Sequence, residues 1–262
     1  MPLTFQSICS GSGGNCLLLR NGSASLLIDV GFSTQRACRA ALEPLLPAVD
    51  AVVVSHLHGD HIHYSALRVL EAWDTPLFVH AGDVAALRAR HGRGRRFDGL
   101  AVEAFGDETF QVGEFAIQPF QVPHYPACPT FGFEVRCGAN GRERKVVVAS
   151  DLADGLSLER RFADADFIYV EANHDPQLLA LHWNPNSRYH LSNGACGRLL
   201  RGAFEASRAL PPAVMLGHLS DERNEPTLAT HTVWEILDDA GFAGVEVHVA
   251  PAREPSEPIA IA

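Results

Sequence analysis

The sequence predicts an α/β chain built as a four-layer αββα sandwich, with two sheets face to face and helices outside. Three observations carry that expectation. Strand-like runs fall into two groups along the 262 residues. Helical periodicity is interleaved with each group, and no Pro- or Ser-rich linker divides them. We therefore expect one domain over residues 1–262, with a hydrophobic fraction of 47% supplying a large core.

The elements follow in order. NCLLLRNG, ASLLIDVG and DAVVVSH are leucine-rich or β-branched runs bounded by Gly, Asn or Asp, the pattern of strands. YSALRVLEAW places Ala66, Leu67, Leu70 and Trp73 at helical spacing. TPLFVH reads as a strand and AGDVAALRARHG as a short helix. FQVGEFAIQPFQV and FGFEVRCG alternate as strands around turn residues. In the second half KVVVASDL, DFIYVEAN, AVMLGHL and VEVHVA are strands. GLSLERRFADA, NGACGRLLRGAFEAS and TLATHTVWEILDDAG are helices, the middle one with Leu199, Ala203 and Phe204 on one face. The tail after about residue 251, PAREPSEP, is polar and Pro-rich and is expected to be loose.

A formal net charge of −10 argues against a broad, sequence-blind nucleic-acid coat, since such binding runs on phosphate neutralisation. It leaves room for a local basic groove or for metal ions as the positive charge. The six cysteines are scattered without a C-x-x-C pair, which points to free, mostly buried thiols in a reducing compartment. The N-terminus lacks a charged region followed by a long apolar one, and no run approaches the ~20 apolar residues of a membrane span. We expect a cytoplasmic protein that does not engage a membrane.

The stretch VVVSHLHGDHIHYSAL crowds His56, His58, Asp60, His61 and His63 onto the end of an apolar strand. His56 and His58 are two apart and share one side of extended backbone. Asp60 and His61 fall where the chain turns towards a helix, so they diverge. One such segment can serve two metal ions a few ångströms apart. The competing reading, a polar loop, requires all these groups to be satisfied by ordinary hydrogen bonds.

SHLHGDH resembles the H-x-H-x-D-H signature of the metallo-β-lactamase superfamily. The rest of that family's set follows in order: Asp29 in LLIDVG, His124 in QVPHYP, Asp151 in VVVASDLAD and His218 in VMLGHLS. The resemblance implies one metal held by His56, His58 and His124, and a second by Asp60, His61 and His218. Asp151 and a water or hydroxide would bridge them, and Asp29 would orient the histidines. A ligand set of imidazoles and carboxylates suits two Zn²⁺ or Mn²⁺ ions, with Fe²⁺ also compatible. SICSGSGGNCLLL, YVEANHD, YHLSNGACGRLL and GHLSDERNEP further resemble the YycJ-type (WalJ-type) branch, related to RNase Z and the PhnP-type phosphodiesterases. That resemblance implies a phosphodiesterase or nuclease, exonuclease-like on single-stranded DNA, with Asp60 and Asp151 placing a metal-bridging hydroxide and His190 assisting the leaving group. A thioester or lactone hydrolase on the same centre is the alternative, and a non-enzymatic binding protein the more distant one.

Read from the residues, Ser192 and Asn193 can cap the helix after His190 and face an anion. His174 follows a buried strand and is expected on the same rim. Arg88, Arg90, Arg93, Arg95 and Arg96 form a basic run that reads as a solvated face. Apolar helix surfaces leave a dimer open.

Overall fold

The structure is a computed structural model that describes residues 2–45, 49–91, 99–155 and 157–261. The first sheet is laid down by β1 (Leu3–Cys9), β2 (Cys16–Asn21), β3 (Ala24–Ile28), β4 (Ala51–Val53), β5 (Leu77–His80) and β6 (Val102–Phe105). The second follows as β7 (Phe110–Val112), β8 (Phe115–Val122), β9 (Thr130–Ala139), β10 (Arg142–Ala149), β11 (Phe167–Glu171), β12 (Ala213–Gly217) and β13 (Glu246–Val249). Finally β14 (Ile259–Ile261) returns to the first sheet beside β1. The orders are β14-β1-β2-β3-β4-β5-β6 and β13-β12-β11-β10-β9-β8-β7.

Each sheet begins antiparallel and becomes parallel at β3–β4 or β10–β11. Parallel strands need crossovers, and helices supply them. α1 (Gln35–Leu42), α2 (Tyr64–Ala72) and α3 (Val84–His91) lie outside the first sheet. α4 (Glu159–Phe162), α6 (Asn193–Glu205) and α7 (Pro226–Asp239) lie outside the second. α5 (Pro176–Leu181) belongs to the segment between β11 and α6. Between the sheets, Phe5, Leu19, Leu26 and Ile28 meet Phe115, Phe133, Phe167 and Tyr169 in one buried cluster. Outer clusters then cover the remaining faces, with Leu67 and Leu70 on one side and Leu199, Ala203 and Phe204 on the other. This is the four-layer αββα arrangement that the two groups of strands predict.

Of the strands and helices given above, five were not legible in the sequence: β1, α1, β6, α5 and β14. β6 and β14 are only four and three residues long, α1 is only eight, and α5 sits in a stretch rich in Pro and Asn. The tail expected to be loose is tied down instead. Ser256 N–H donates to Ser7 O at 2.8 Å, Gln6 Nε2 donates to Ser256 O at 2.7 Å, and Phe5, Thr4 and Leu3 pair with Ile259, Ala260 and Ile261. The open edge of β1 needs a partner, and the apolar Ile259-Ala260-Ile261 supplies one. All six cysteines are free, five of them buried and Cys128 half-buried. No helix among the described residues is long and apolar enough to cross a membrane.

Candidate metal centre

The carboxyl ends of the parallel strands converge on one rim, where ligand sites of α/β sheets form. β3 delivers Asp29, β4 delivers Ser55 and His56, β10 delivers Asp151, β11 ends on Glu171 and β12 delivers His218. Asp29, Asp151 and His218 have φ values of 62°, 57° and 53°. The left-handed region is costly for residues other than glycine, and its use at three strand ends on one rim marks a functional constraint. The segment from His56 to His63 is laced to its neighbours. Asn15 N–H donates to Asp60 O at 2.8 Å and Val30 N–H to His61 O at 2.8 Å. Gly31 is required there, since a Cβ on it would lie 1.7 Å from Asp60 O.

Four groups of donor atoms each lie within 4.8 Å of one another: His56, His58 and His124; Asp60, His61 and His218; His56, His61 and Asp151; and Asp151, Glu171, His190 and His218. Asp151 stands between the first two trios. Its Oδ2 is 2.6 Å from His61 Nε2 and its Oδ1 is 3.8 Å from His124 Nε2.

Surrounding hydrogen bonds fix which ring nitrogen each histidine presents. Asp29 Oδ2 accepts from His61 Nδ1 and from Ser55 Oγ, both at 2.7 Å. His61 therefore turns Nε2 inward. Ser55 Oγ in turn accepts from His56 Nδ1 at 3.0 Å, so His56 also turns Nε2 inward. Tyr189 O accepts from His124 Nδ1 at 2.9 Å, and Glu171 Oε1 from His218 Nδ1 at 2.9 Å. Such outer partners hold imidazoles in ligating orientation.

Electrostatics divides the centre in two. Burial pushes His56 well below the usual imidazole value, and nearby His61 adds to it. Burial likewise lowers His58 and His124. These three are neutral imidazoles with a lone pair to give. Burial acts the same way on His61, but the Asp151, Asp29 and Asp60 carboxylates outweigh it and hold His61 well above the usual value. Against burial, Asp151, Asp60 and Glu171 raise His218 to about 10. In return, against the cost of its own burial, His218 and His61 hold Asp151 well below the carboxylate range.

The residues fit divalent metal. His56 Nε2 is buried and has no hydrogen-bond partner among the described residues, an uncompensated cost unless a cation takes its lone pair. The donor set of imidazoles and carboxylates, without thiolate, suits the borderline ions of the Zn²⁺ and Mn²⁺ kind.

The remaining expected residues divide. His190 reaches the cluster: its Nδ1 lies 2.7 Å from Glu171 Oε1 and 3.4 Å from Asp151 Oδ1, and its ring stacks on His218 at 5.3 Å. Ser192 caps α6, its Oγ accepting from Ala195 N–H at 3.2 Å. Asn193 turns into the core, exchanging amide hydrogen bonds with Asn224 at 2.9 and 2.8 Å. His174 is buried and belongs to none of the four groups of donor atoms. His63 caps α2 through Ser65 N–H. Of the basic run, Arg88 is exposed on α3, while Arg93, Arg95 and Arg96 lie outside the described residues, as does the side chain of Arg90.

Three contributors escaped sequence reading, and a fourth, Glu171, could be read there either as a supporting acid or as a plain strand-end acid. Glu171, fully buried, accepts from His190 and His218 through Oε1 and from the Leu152 and Leu191 amides through Oε2. Ser55 carries the relay just described. Asn15 Nδ2 reaches Asp60 O at 3.2 Å and His61 Nε2 at 3.1 Å. Ser10 Oγ accepts from His218 N–H at 2.7 Å. Ser10 and Asn15 belong to the Gly-rich turn of SGSGGN, and Glu171 ends a strand, which were the available signals.

Residues 25–218 match the family model described as the Beta-lactamase superfamily domain. The exodeoxyribonuclease YycJ of Bacillus anthracis is 27% identical over 274 aligned positions, covering 98% of each chain. The exodeoxyribonuclease WalJ of Streptococcus pneumoniae is 27% identical over 263 positions, covering 94% of this chain and 92% of its own. In fold, the metallo-β-lactamase fold protein YhfI of Bacillus subtilis matches with a TM-score of 0.74 at 19% identity, covering 98% of this chain and 99% of that one. With its strand ends, its histidine and carboxylate cluster and this match, the chain belongs to the β-lactamase superfamily.

Proposed function

We propose that the protein is a dinuclear metal-dependent phosphodiesterase that acts as a nuclease on single-stranded DNA. The observation that carries the reading is a protonatable histidine set against a metal-binding cluster: His190 Nδ1 on Glu171 Oε1 at 2.7 Å, within 3.4 Å of Asp151 Oδ1. The full-length likeness to the two exodeoxyribonucleases YycJ and WalJ supports the substrate class.

In this reading His56, His58 and His124 hold one divalent ion, Asp60, His61 and His218 the other, and Asp151 lies between them. When bound, the ions neutralise charge on a phosphoryl oxygen and lower the pKa of water towards neutrality. Asp29 and Ser55 keep His61 and His56 turned inward, so the ligands are set before substrate arrives. Glu171 does the same for His218.

His190 has a different task. Burial opposes its charged form, but the Glu171 carboxylate holds it above the usual imidazole value. The pairing with Glu171 thus favours its protonated form. With Nδ1–H spent on Glu171, Nε2–H is the donor left to face a departing alkoxide, the position a general acid needs. A thioester departs as a thiolate, which needs this proton less.

The test is a substrate panel. Metal-loaded protein is given bis(p-nitrophenyl) phosphate, an acyl thioester and an acyl lactone. Turnover of the phosphodiester above both carbonyl substrates is expected. Faster thioester or lactone hydrolysis would overturn the reading.

A further inference from the structure

We propose that Tyr125 and Tyr189 form a platform for an unpaired nucleobase at the mouth of the metal centre, with Arg188 set to meet the strand's phosphate. The inference rests on the phosphodiesterase reading and names how that site would hold a single strand.

The two tyrosines come from different loops. Tyr125 follows His124 at the end of β8, and Tyr189 precedes His190 at the end of a 3₁₀ turn, Pro185–Tyr189. Their rings meet nearly at right angles, with centroids 5.1 Å apart and an interplanar angle of 81°. Together they make an aromatic corner. Tyr125 is 43% exposed, and its ring centroid lies 6.2 Å from that of His58. Tyr189 gives its carbonyl to His124 Nδ1. The corner is thus one ring away from two candidate metal ligands.

Local chemistry keeps the surface in place. Pro126 confines the preceding Tyr125 to extended backbone, and Cys128 N–H donates to Tyr125 O at 3.0 Å. Arg188 lies with its guanidinium carbon 4.6 Å from the Tyr189 ring centroid and donates from Nη2 to Tyr189 Oη at 2.6 Å. One face of Tyr189 is thereby covered, leaving Tyr125 as the open ring. Arg188 is exposed and has no carboxylate partner among the described residues. In a chain of net charge −10, a cation without a counter-ion beside an exposed aromatic ring complements a strand of phosphates and bases. Every base has a π-face, so stacking tolerates sequence but requires the base to be unpaired. A duplex, whose bases are already stacked, gains nothing from this corner.

The experiment measures binding of metal-loaded protein to two fluorescent strands with phosphorothioate linkages that resist hydrolysis. One is oligothymidylate and the other an abasic strand with the same number of phosphates. Wild type is expected to bind the thymidylate strand about ten-fold more tightly, the value of one stacked base. Tyr125→Ala should abolish that preference, and Tyr125→Phe, which keeps the ring, should retain it. Arg188→Ala should weaken both strands alike and flatten the salt dependence. Equal binding of the two strands by wild type, or a preference that survives in Tyr125→Ala, would overturn the platform. Turnover of bis(p-nitrophenyl) phosphate is measured in parallel. A wild type that prefers bases yet hydrolyses no phosphodiester would keep the platform and sink the phosphodiesterase reading. The opposite pattern would sink the platform alone.

Discussion

His61 Nε2 and Asp151 Oδ2 lie 2.6 Å apart in a fully buried setting. The Nδ1–H of His61 is already given to Asp29, so a neutral His61 would turn a lone pair onto a carboxylate oxygen. Only a proton or a metal ion between the two relieves that contact. Without metal, the raised His61 and His218 favour protons there; an ion held by these residues would take their place.

Metal binding must therefore release protons. The protonated forms of His61 and His218 compete with the ion, and that competition fades as pH rises towards the His218 value of about 10. Affinity should climb with pH across the neutral range. Calorimetry in buffers of different ionisation enthalpy reads the proton count directly. Binding with no buffer dependence near neutrality would contradict this electrostatic picture.

The relay behind the ligands should tune affinity without supplying a ligand. Asp29→Asn and Ser55→Ala loosen the orientation of His61 and His56. Each is expected to weaken metal binding about 10- to 100-fold, read by competition against a chromogenic chelator. An unchanged affinity in both variants would remove their orienting role.

His190 should act on turnover rather than on metal content. His190→Ala is expected to lower kcat about 10²- to 10³-fold while metal per chain stays at the wild-type level. Glu171→Gln removes the charge that raises His190, so the proton should be lost at lower pH and the alkaline limb of the rate profile should move down. Loss of metal from His190→Ala would make it a ligand instead.

The docked tail makes a stability prediction. Removing residues 251–262 strips β14 from β1 and exposes the edge that Ile261, 2% exposed, helps to cover. Burial of one such side chain is worth about 2 kcal/mol, so Tm should drop by roughly 5 °C. An unchanged Tm would mean that the pairing contributes nothing in solution.

Much of the rim was readable because its chemistry is concentrated in short motifs. His56, His58, Asp60 and His61 sit together in six residues, and His124, Asp151 and His218 each end an apolar run. The parts that escaped reading depend on long-range geometry. Glu171 looks like any acid at a strand end until β11 sets it under both His190 and His218. Asn193 and His174 looked available because they follow motif residues, but the pairing of Asn193 with Asn224 and the burial of His174 are decided by tertiary packing. The left-handed φ of Asp29, Asp151 and His218 likewise leaves no mark in composition. β14 was missed because its three residues earn no strand signal without the β1 edge beside them.

The most direct measurement follows single-stranded DNA labelled at one end, incubated with Mn²⁺-loaded, Zn²⁺-loaded or chelator-treated protein, beside Asp151→Ala. We expect metal-dependent shortening by the wild type and none by the variant or in chelator. DNA that stays intact with two metals bound per chain, or shortening that Asp151→Ala retains, would contradict a dinuclear phosphodiesterase acting on single strands.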